Sequence, residues 1–419
     1  MKTIYQITAI ICILTLNSSS CEKQESREDI PTPPEITLTK GEAQIAASGN
    51  STAFRILEII AERQPTEPDK PNIMISPLSL NLSMAMAWNG ASGNTRSQIK
   101  NSLAFHGESD NDVQSFFKKM IETLPEADPL TNLTIANSVW YDHTFPVKES
   151  FLNSNKEWFH ATISPLDFSQ HQSLITINNW CSSKSNGKIN KILDNISPEE
   201  IMFLINALYF NSPWKEKFDP HNTKPMPFTL SDGVKTTVPM MFKNTETQCY
   251  QNDKLNSVTI PFGNGAFKMT VILPSNETST TDVVKDISKS DIWNNITNNH
   301  SKQEVDIYLP RFKFEYKIEL NDILKEIGIT EAFDPMKANF SAIAELPGKN
   351  NISISKVLQK TAIEINEEGG EAAAVTSTGF QVTSIGPEKK VFMADKPFIF
   401  AIWEQSSGTI IFSGIVAKP

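Results

Sequence analysis

Apolar side chains in the first third of the chain recur at helical spacing. From Ala43 to Glu62 they return at i, i+3 and i+4 and stop before Pro65, which predicts a helix. Leu78 to Trp88 predicts a second helix, and Ala91 to Leu103 a third, opened by Ser92-Gly93-Asn94-Thr95. Gly90 and Gly93 read as the turn between these two, because a Gly-x-x-Gly pair without a following Lys-Ser/Thr is a poor phosphate loop. The second half changes period. Ile201 to Phe210 is one continuous apolar run, as in a strand covered on both faces, and Asn206 inside it needs hydrogen-bond partners. Val258 to Phe262, Phe267 to Leu273 and Val305 to Phe314 predict further strands, and Ile318 to Ile327 an amphipathic helix closed by Gly328. Phe398 to Glu404 and Thr409 to Val416 flank Gln405-Ser-Ser-Gly408 and predict a hairpin of buried strands. The class is α+β, helical early and strand-rich late.

Composition narrows the function. Of 419 residues 39% are hydrophobic and 21% charged, enough for a sizeable core, which excludes wholesale disorder and a multi-span membrane protein. Lys+Arg total 38 against Asp+Glu 48, a net charge of −10, so neither nucleic acid nor anionic lipid is an expected partner. Residues 1–20 read as a signal peptide: Lys2 is the positive n-region and Ile7 to Leu16 the apolar stretch, far short of the ~20 residues that span a bilayer. Asn17-Ser18-Ser19-Ser20 before Cys21 resembles a bacterial lipobox, with Ser18 where an aliphatic residue is usual. Cys21 is then either lipidated, the favoured reading, or a leftover thiol. Residues 21–41, with Pro31, Pro33 and Pro34, read as a tether, and residues 42–419, without repeat or interior linker, as one large domain. The expectation is an extracytoplasmic monomer, secreted or held at a bacterial envelope by lipid alone. Cys12 leaves with the leader, and Cys181 and Cys249 are too few for a disulfide framework and read as buried thiols.

No enzyme motif is present. His106, His143, His160, His171, His221 and His300 are scattered, and no pair has metal-ligand spacing. The chain lacks a Gly-x-Ser-x-Gly elbow, a His-Glu-x-x-His helix and a dinucleotide fingerprint. Neither a cofactor nor a metal is expected.

The informative stretch follows the alternating strand Thr361 to Asn366. It runs Glu367-Glu-Gly-Gly-Glu-Ala-Ala-Ala-Val-Thr-Ser-Thr-Gly-Phe-Gln-Val-Thr-Ser-Ile385, with no proline between Pro347 and Pro387 and no charge from Ala372 to Pro387. A long neutral loop in a compact domain is usually functional or disordered. Disorder favours charge and proline, whereas these small and β-branched residues suit a central strand. A segment fit for either state suggests a bistable device.

Glu367, Glu368, Gly369, Gly370, Glu371, Ala372, Ala373 and Ala374 resemble the hinge of the inhibitory serpins. The resemblance spans nearly the whole body. Asn72-Ile-Met-Ile-Ser-Pro-Leu-Ser79 resembles their Ser-Pro-x-Ser motif, and Ile177 to Ile189 their Asn-x-Trp…Gly-Lys-Ile helix. Leu204 to Phe210 through Trp214 and Phe218 resembles their central strand and breach. Leu309-Pro-Arg-Phe312, Ile327-Gly-Ile-Thr-Glu-Ala-Phe333 and Ala394-Asp-Lys-Pro-Phe398 follow in family order. The resemblance implies three β-sheets, about eight or nine helices and an exposed reactive-centre loop. It implies a shutter and breach built on Ser76, Ser79, Asn206, Trp214 and Gln359, with Gln359 where the family has His. Gly370 stands where the family has Thr or Ser.

The implied activity is that of a suicide-substrate inhibitor of serine, and also of cysteine, endopeptidases, not of an enzyme. A protease attacks the loop, forms a covalent acyl-enzyme and is trapped as the cut loop enters the main sheet. Counting the family's usual seventeen positions from Glu367 puts the reactive bond at Thr383-Ser384, flanked by Phe380, Gln381, Val382 and Ile385. Those side chains suit elastase-like, subtilisin-like or papain-like proteases. The alternative is a non-inhibitory binding or carrier protein of the same fold.

Overall fold

Four helices lead the chain: α1 (Lys40–Arg63), α2 (Pro77–Gly90), α3 (Gly93–Ser102) and α4 (Asp110–Thr123). Three of the four starts, all but that of α3, have a side-chain cap. Thr39 and Glu42 exchange side-chain-to-backbone bonds at the head of α1, and Ser109 with Asp112 does the same for α4. The Ser76 hydroxyl accepts the Ser79 N–H at 3.3 Å, and Pro77 fills the first turn of α2. Nearly every side chain of α2 is buried, so it is a central helix rather than an amphipathic one. The computed structural model describes residues 31–63, 71–103, 105, 109–299, 301–346, 352–370 and 390–419.

The remaining elements are β1 (Ile73–Ile75), β2 (Asn132–Asp142), α5 (Glu149–Phe159), β3 (Thr162–Leu166), α6 (His171–Lys184) and β4 (Met202–Asn211). After them come β5 (Lys224–Thr229), β6 (Lys235–Gln251), β7 (Leu255–Pro261), β8 (Phe267–Pro274), α7 (Thr280–Ser288) and α8 (Ile292–Thr297). The chain ends with β9 (Lys302–Pro310), β10 (Phe312–Glu319), α9 (Asn321–Glu326), β11 (Leu358–Ile365), β12 (Lys390–Met393), β13 (Phe398–Glu404) and β14 (Ile410–Val416).

Among the described residues these strands make three sheets: β3-β2-β4, β10-β11, and a nine-stranded sheet ordered β1-β14-β13-β8-β7-β6-β9-β12 with β5 also on β6. The 17-residue β6 pairs with β5 and β9 along one part and with β7 at Gln248 to Gln251, so one long strand is shared between two paired regions. Residues Thr32–Pro419 form one compact unit. Part of the Pro-rich stretch belongs to it: Ile36 is buried and its N–H is donated to Ser406 Oγ at 2.9 Å. Among the described residues no helix is long and apolar enough to cross a membrane.

The α+β class, and the three sheets and nine α-helices among the described residues, match the expectation, and α1, α2, α3, β4 and the β13–β14 hairpin fall close to where periodicity puts them. Two expectations are corrected. Val305 to Phe314 is two strands, not one, because the chain turns at Pro310-Arg311 and passes from the large sheet to β10-β11. Since β10 continues to Glu319, the helix closed by Gly328 shortens to Asn321–Glu326. Periodicity did not single out β2, β3, β5 or β6.

Candidate functional site: a strand-wide gap beneath a tight turn

β4 is satisfied along one edge by β2, from Met202↔Tyr141 to Asn211↔Asn132. β11 is satisfied along one edge by β10, from Leu358↔Glu319 to Ile365↔Phe312. The other two edges face each other, and no ladder joins them among the described residues. A cavity of about 140 Å³ lies between their lower halves, lined by Ser76, Asn206 and Gln359 among others. Another of about 280 Å³ lies between their upper halves, against Phe210, Ile363 and Gly370. The two strands run the same way. Glu200, just before β4, meets Ser355 and Lys356, just before β11, while Ser212, just after β4, meets Gly370, just after β11. Facing edges of this kind carry rows of unpaired N–H and C=O groups, which one strand running antiparallel to both would satisfy.

Directly above the gap the chain reverses. Asn366 and Gly369 exchange backbone bonds of 2.9 and 3.1 Å, and Asn366 Oδ1 accepts the Glu368 N–H. Gly369 has φ +125°, and a Cβ there would lie 2.4 Å from the Ser212 carbonyl oxygen, so the position admits only glycine without movement. Gly370 then donates its N–H to Ser212 O at 2.8 Å and lies on the end of β4. A Cβ on Gly370 would meet Asn211 Oδ1 at 2.5 Å. The departure from Thr or Ser thus falls where the backbone runs closest to β4.

Charge and stacking brace the turn. Arg311 Nε lies 2.8 Å from each Glu367 carboxylate oxygen, its Nη2 lies 2.6 Å from Oε1, and the Thr223 hydroxyl donates to the same carboxylate. Burial alone would raise the Glu367 carboxyl; Arg311 and Thr223 outweigh it and hold it below the usual glutamate range. Lys217 pairs with Glu368 at 2.5 Å. Trp214 stacks on Phe262 with centroids 4.3 Å apart and donates its Nε1–H to Asn366 O at 2.8 Å.

Lower in the gap, Gln359 accepts the Ser76 N–H at 3.0 Å and donates Nε2 to Ser76 O at 2.8 Å. Ser76 Oγ donates to Ile411 O, and Thr361 Oγ1 to Met74 O. Asn206 is not in this set. It stands on β4, across the gap from β11, gives its amide to Asn137 Oδ1 at 2.8 Å, and its own Oδ1 has no partner among the described residues. The expected network of Ser76, Asn206 and Gln359 is therefore divided by the open sheet. Arg311, Thr223, Lys217, Asn137 and Thr361 were not picked out as site residues by sequence reasoning; the Leu-Pro-Arg-Phe motif was the signal for Arg311. Glu371, Ala372, Ala373, Ala374, Phe380, Gln381, Val382, Thr383, Ser384 and Ile385, like Cys21, lie outside the described residues.

Elsewhere, Asp142, His143 and Asp167 bring potential metal-ligand atoms within 4.8 Å of one another at the far end of β2. Asp142 accepts the Thr144 and Phe168 N–H groups and Asp167 the Ser169 N–H, turn bonds that account for the grouping. Cys181 and Cys249 are free and buried; burial pushes the Cys181 thiol up to about 12, which keeps it inert.

Comparison with known proteins agrees with this geometry. Residues 47–419 match the family model described as Serpin (serine protease inhibitor). The chain is a serpin. Human neuroserpin is 32% identical over 362 residues, covering 83% of this chain and 86% of that protein. The thermophilic serpin tengpin in its native state superposes with a TM-score of 0.81 at 30% identity, over 93% of this chain and 97% of tengpin. Human thyroxine-binding globulin with its ligand superposes with a TM-score of 0.79 at 24% identity, covering 90% and 99%, a likeness of fold alone. The same fold thus occurs in a family described as serine protease inhibitors and in a thyroxine-binding protein.

Proposed function

We propose that this serpin is a suicide-substrate inhibitor of serine endopeptidases, with papain-like cysteine proteases as a further target class, working outside the cytoplasm. One observation carries the reading: the turn at 366–370 delivers the loop's first residue onto β4 at the mouth of a gap between two parallel strands. An elastase-like or subtilisin-like protease attacks the Thr383-Ser384 bond. Its nucleophile forms an ester with the Thr383 carbonyl, and Ser384 leaves with the new amine. The freed arm then continues down the gap from Gly370. About 14 residues at ~3.3 Å each carry the tethered protease roughly 45 Å. New ladder bonds at ~1 kcal/mol each and side-chain burial supply roughly 10–20 kcal/mol. Misplacing the protease's catalytic groups by ~1 Å is enough to stall deacylation. The uncharged Ala372, Ala373 and Ala374 suit entry into a sheet. The leader and Cys21 support secretion, with a lipid anchor at a bacterial envelope and no other membrane contact.

The test is incubation with an elastase-like protease. An SDS-stable complex is expected, with mass spectrometry of the released fragment placing the cut after Thr383. Ala373→Arg is expected to turn the inhibitor into a substrate, with cleavage retained and the complex lost. Cleavage without a complex and without a rise in Tm in the parent protein would instead support the carrier reading that thyroxine-binding globulin exemplifies.

A further inference from the structure

The peptide on which the loop begins is itself held by a buried carboxylate that no part of the inhibitory mechanism above uses. Asp128 is 1% exposed and lies just before β2. Its Oδ1 accepts the Leu130 N–H at 2.9 Å; its Oδ2 accepts the Thr131 hydroxyl at 2.7 Å and the Asn264 N–H at 3.1 Å. Among the described residues it has no ion pair, so these dipoles alone offset its burial. Gly263 makes room for it: with φ +43°, a Cβ there would sit 1.8 Å from Asp128 Oδ2.

Two routes lead from Asp128 to the Ser212-Pro213 pair. Thr131 has a single hydroxyl proton, and the carboxylate can only accept, so that proton points at Asp128. In the 2.6 Å contact between Thr131 Oγ1 and Ser212 Oγ, Ser212 must then be the donor, and its one proton goes there rather than to the Pro213 carbonyl oxygen at 3.3 Å. On the other side, the 263–264 turn that Asp128 secures gives the Gly263 N–H to Pro213 O at 2.8 Å. Ser212 is thus held through its side chain, and the residue after it, Pro213, through its own carbonyl, so the Ser212 carbonyl between them is fixed from both sides. That pair of residues receives the loop: Ser212 O accepts the Gly370 N–H, and Pro213 bridges Gly369.

We propose that Asp128 is a positioning residue for loop insertion, acting through Thr131 and the 263–264 turn to aim the Ser212 carbonyl at Gly370. Whether a cut loop enters the gap or the protease escapes is a race. A first ladder bond that is already aligned favours entry, since losing one net hydrogen bond changes such a partition about fivefold. The proposal deepens the inhibitory reading and rests on it for its kinetic consequence alone.

The test uses the full-length protein with Asp128→Asn, which turns an amide N–H₂ toward donors, and Thr131→Val, which removes the relay but keeps the carboxylate's backbone bonds. Two readouts are taken. The partition ratio (cleaved inhibitor released per complex formed, the stoichiometry of inhibition minus one) is expected to rise about fivefold in both variants, and to return to the parent value in Thr131→Ser. Amide exchange at Gly370 in the uncut protein is expected to accelerate by a similar factor in both variants. If Thr131→Val folds and shows parental Gly370 exchange, the positioning role is overturned. If exchange accelerates but the parent protein forms no covalent complex, the inhibitory reading fails while the positioning of Gly370 stands. If exchange accelerates and stoichiometry stays at the parental value, Asp128 does not govern insertion and the proposal is overturned.

Discussion

Gly369 shows how much one residue can decide. Its φ of +125° and its contact with Ser212 O leave no room for a Cβ. Gly369→Ala is expected to destabilise the protein by roughly 1–3 kcal/mol, read as a shift in the urea midpoint. At Gly370 the nearest obstruction is the Asn211 side chain, with the Ser212 backbone N at 3.1 Å behind it, so a Thr there calls for a rotamer change and a small backbone shift. Residue chemistry was only partly legible beforehand. Gln359 can donate and accept, so its two bonds to Ser76 follow from its type. The choice of Asn137 as the partner of Asn206 does not, because it depends on which strand lies beside β4.

At the scale of elements, the Arg311–Glu367 pair ties the β9–β10 corner to the turn above the gap. The Glu367 carboxyl is lower in the folded protein than its ordinary 4.5, so its contribution to stability is full above that value and fades as pH falls through the lower folded one. In Arg311→Met burial acts with far less opposition, and Glu367 titrates at higher pH. Acid unfolding of the variant, followed by tryptophan fluorescence, is expected to begin at higher pH than in the parent; an unmoved acid limb would show that Thr223 alone holds the carboxylate. The same corner explains the misread strand. Val305 to Phe314 has strand-forming residues on both sides of Pro310, and local pattern does not register that Pro310-Arg311 carries the chain from one sheet to another.

Among the described residues of the molecule, β4 and β11 face each other without pairing. Amides on the two facing edges are expected to exchange quickly in the native protein and to become protected after loop cleavage, alongside a large rise in Tm. Hydrogen exchange resolved to β4 and β11 tests this directly. Equal protection before and after cleavage would mean that the cut arm stays outside the sheet. Edges facing β2 and β10 serve as the internal control, since both are paired in the native state.

The amino-acid sequence by itself determined the early helices, the terminal hairpin and a loop whose small uncharged residues suit a sheet. Each follows from local period, caps or composition, which travel with the chain. Tertiary structure alone decided that β4 and β11 run parallel and one strand apart. It also brought Asp128, Thr131, Ser212 and Gly263 together from separate segments. Backbone hydrogen bonds are blind to side-chain identity, so a sequence can say which face of a strand is buried without saying which neighbour it lacks.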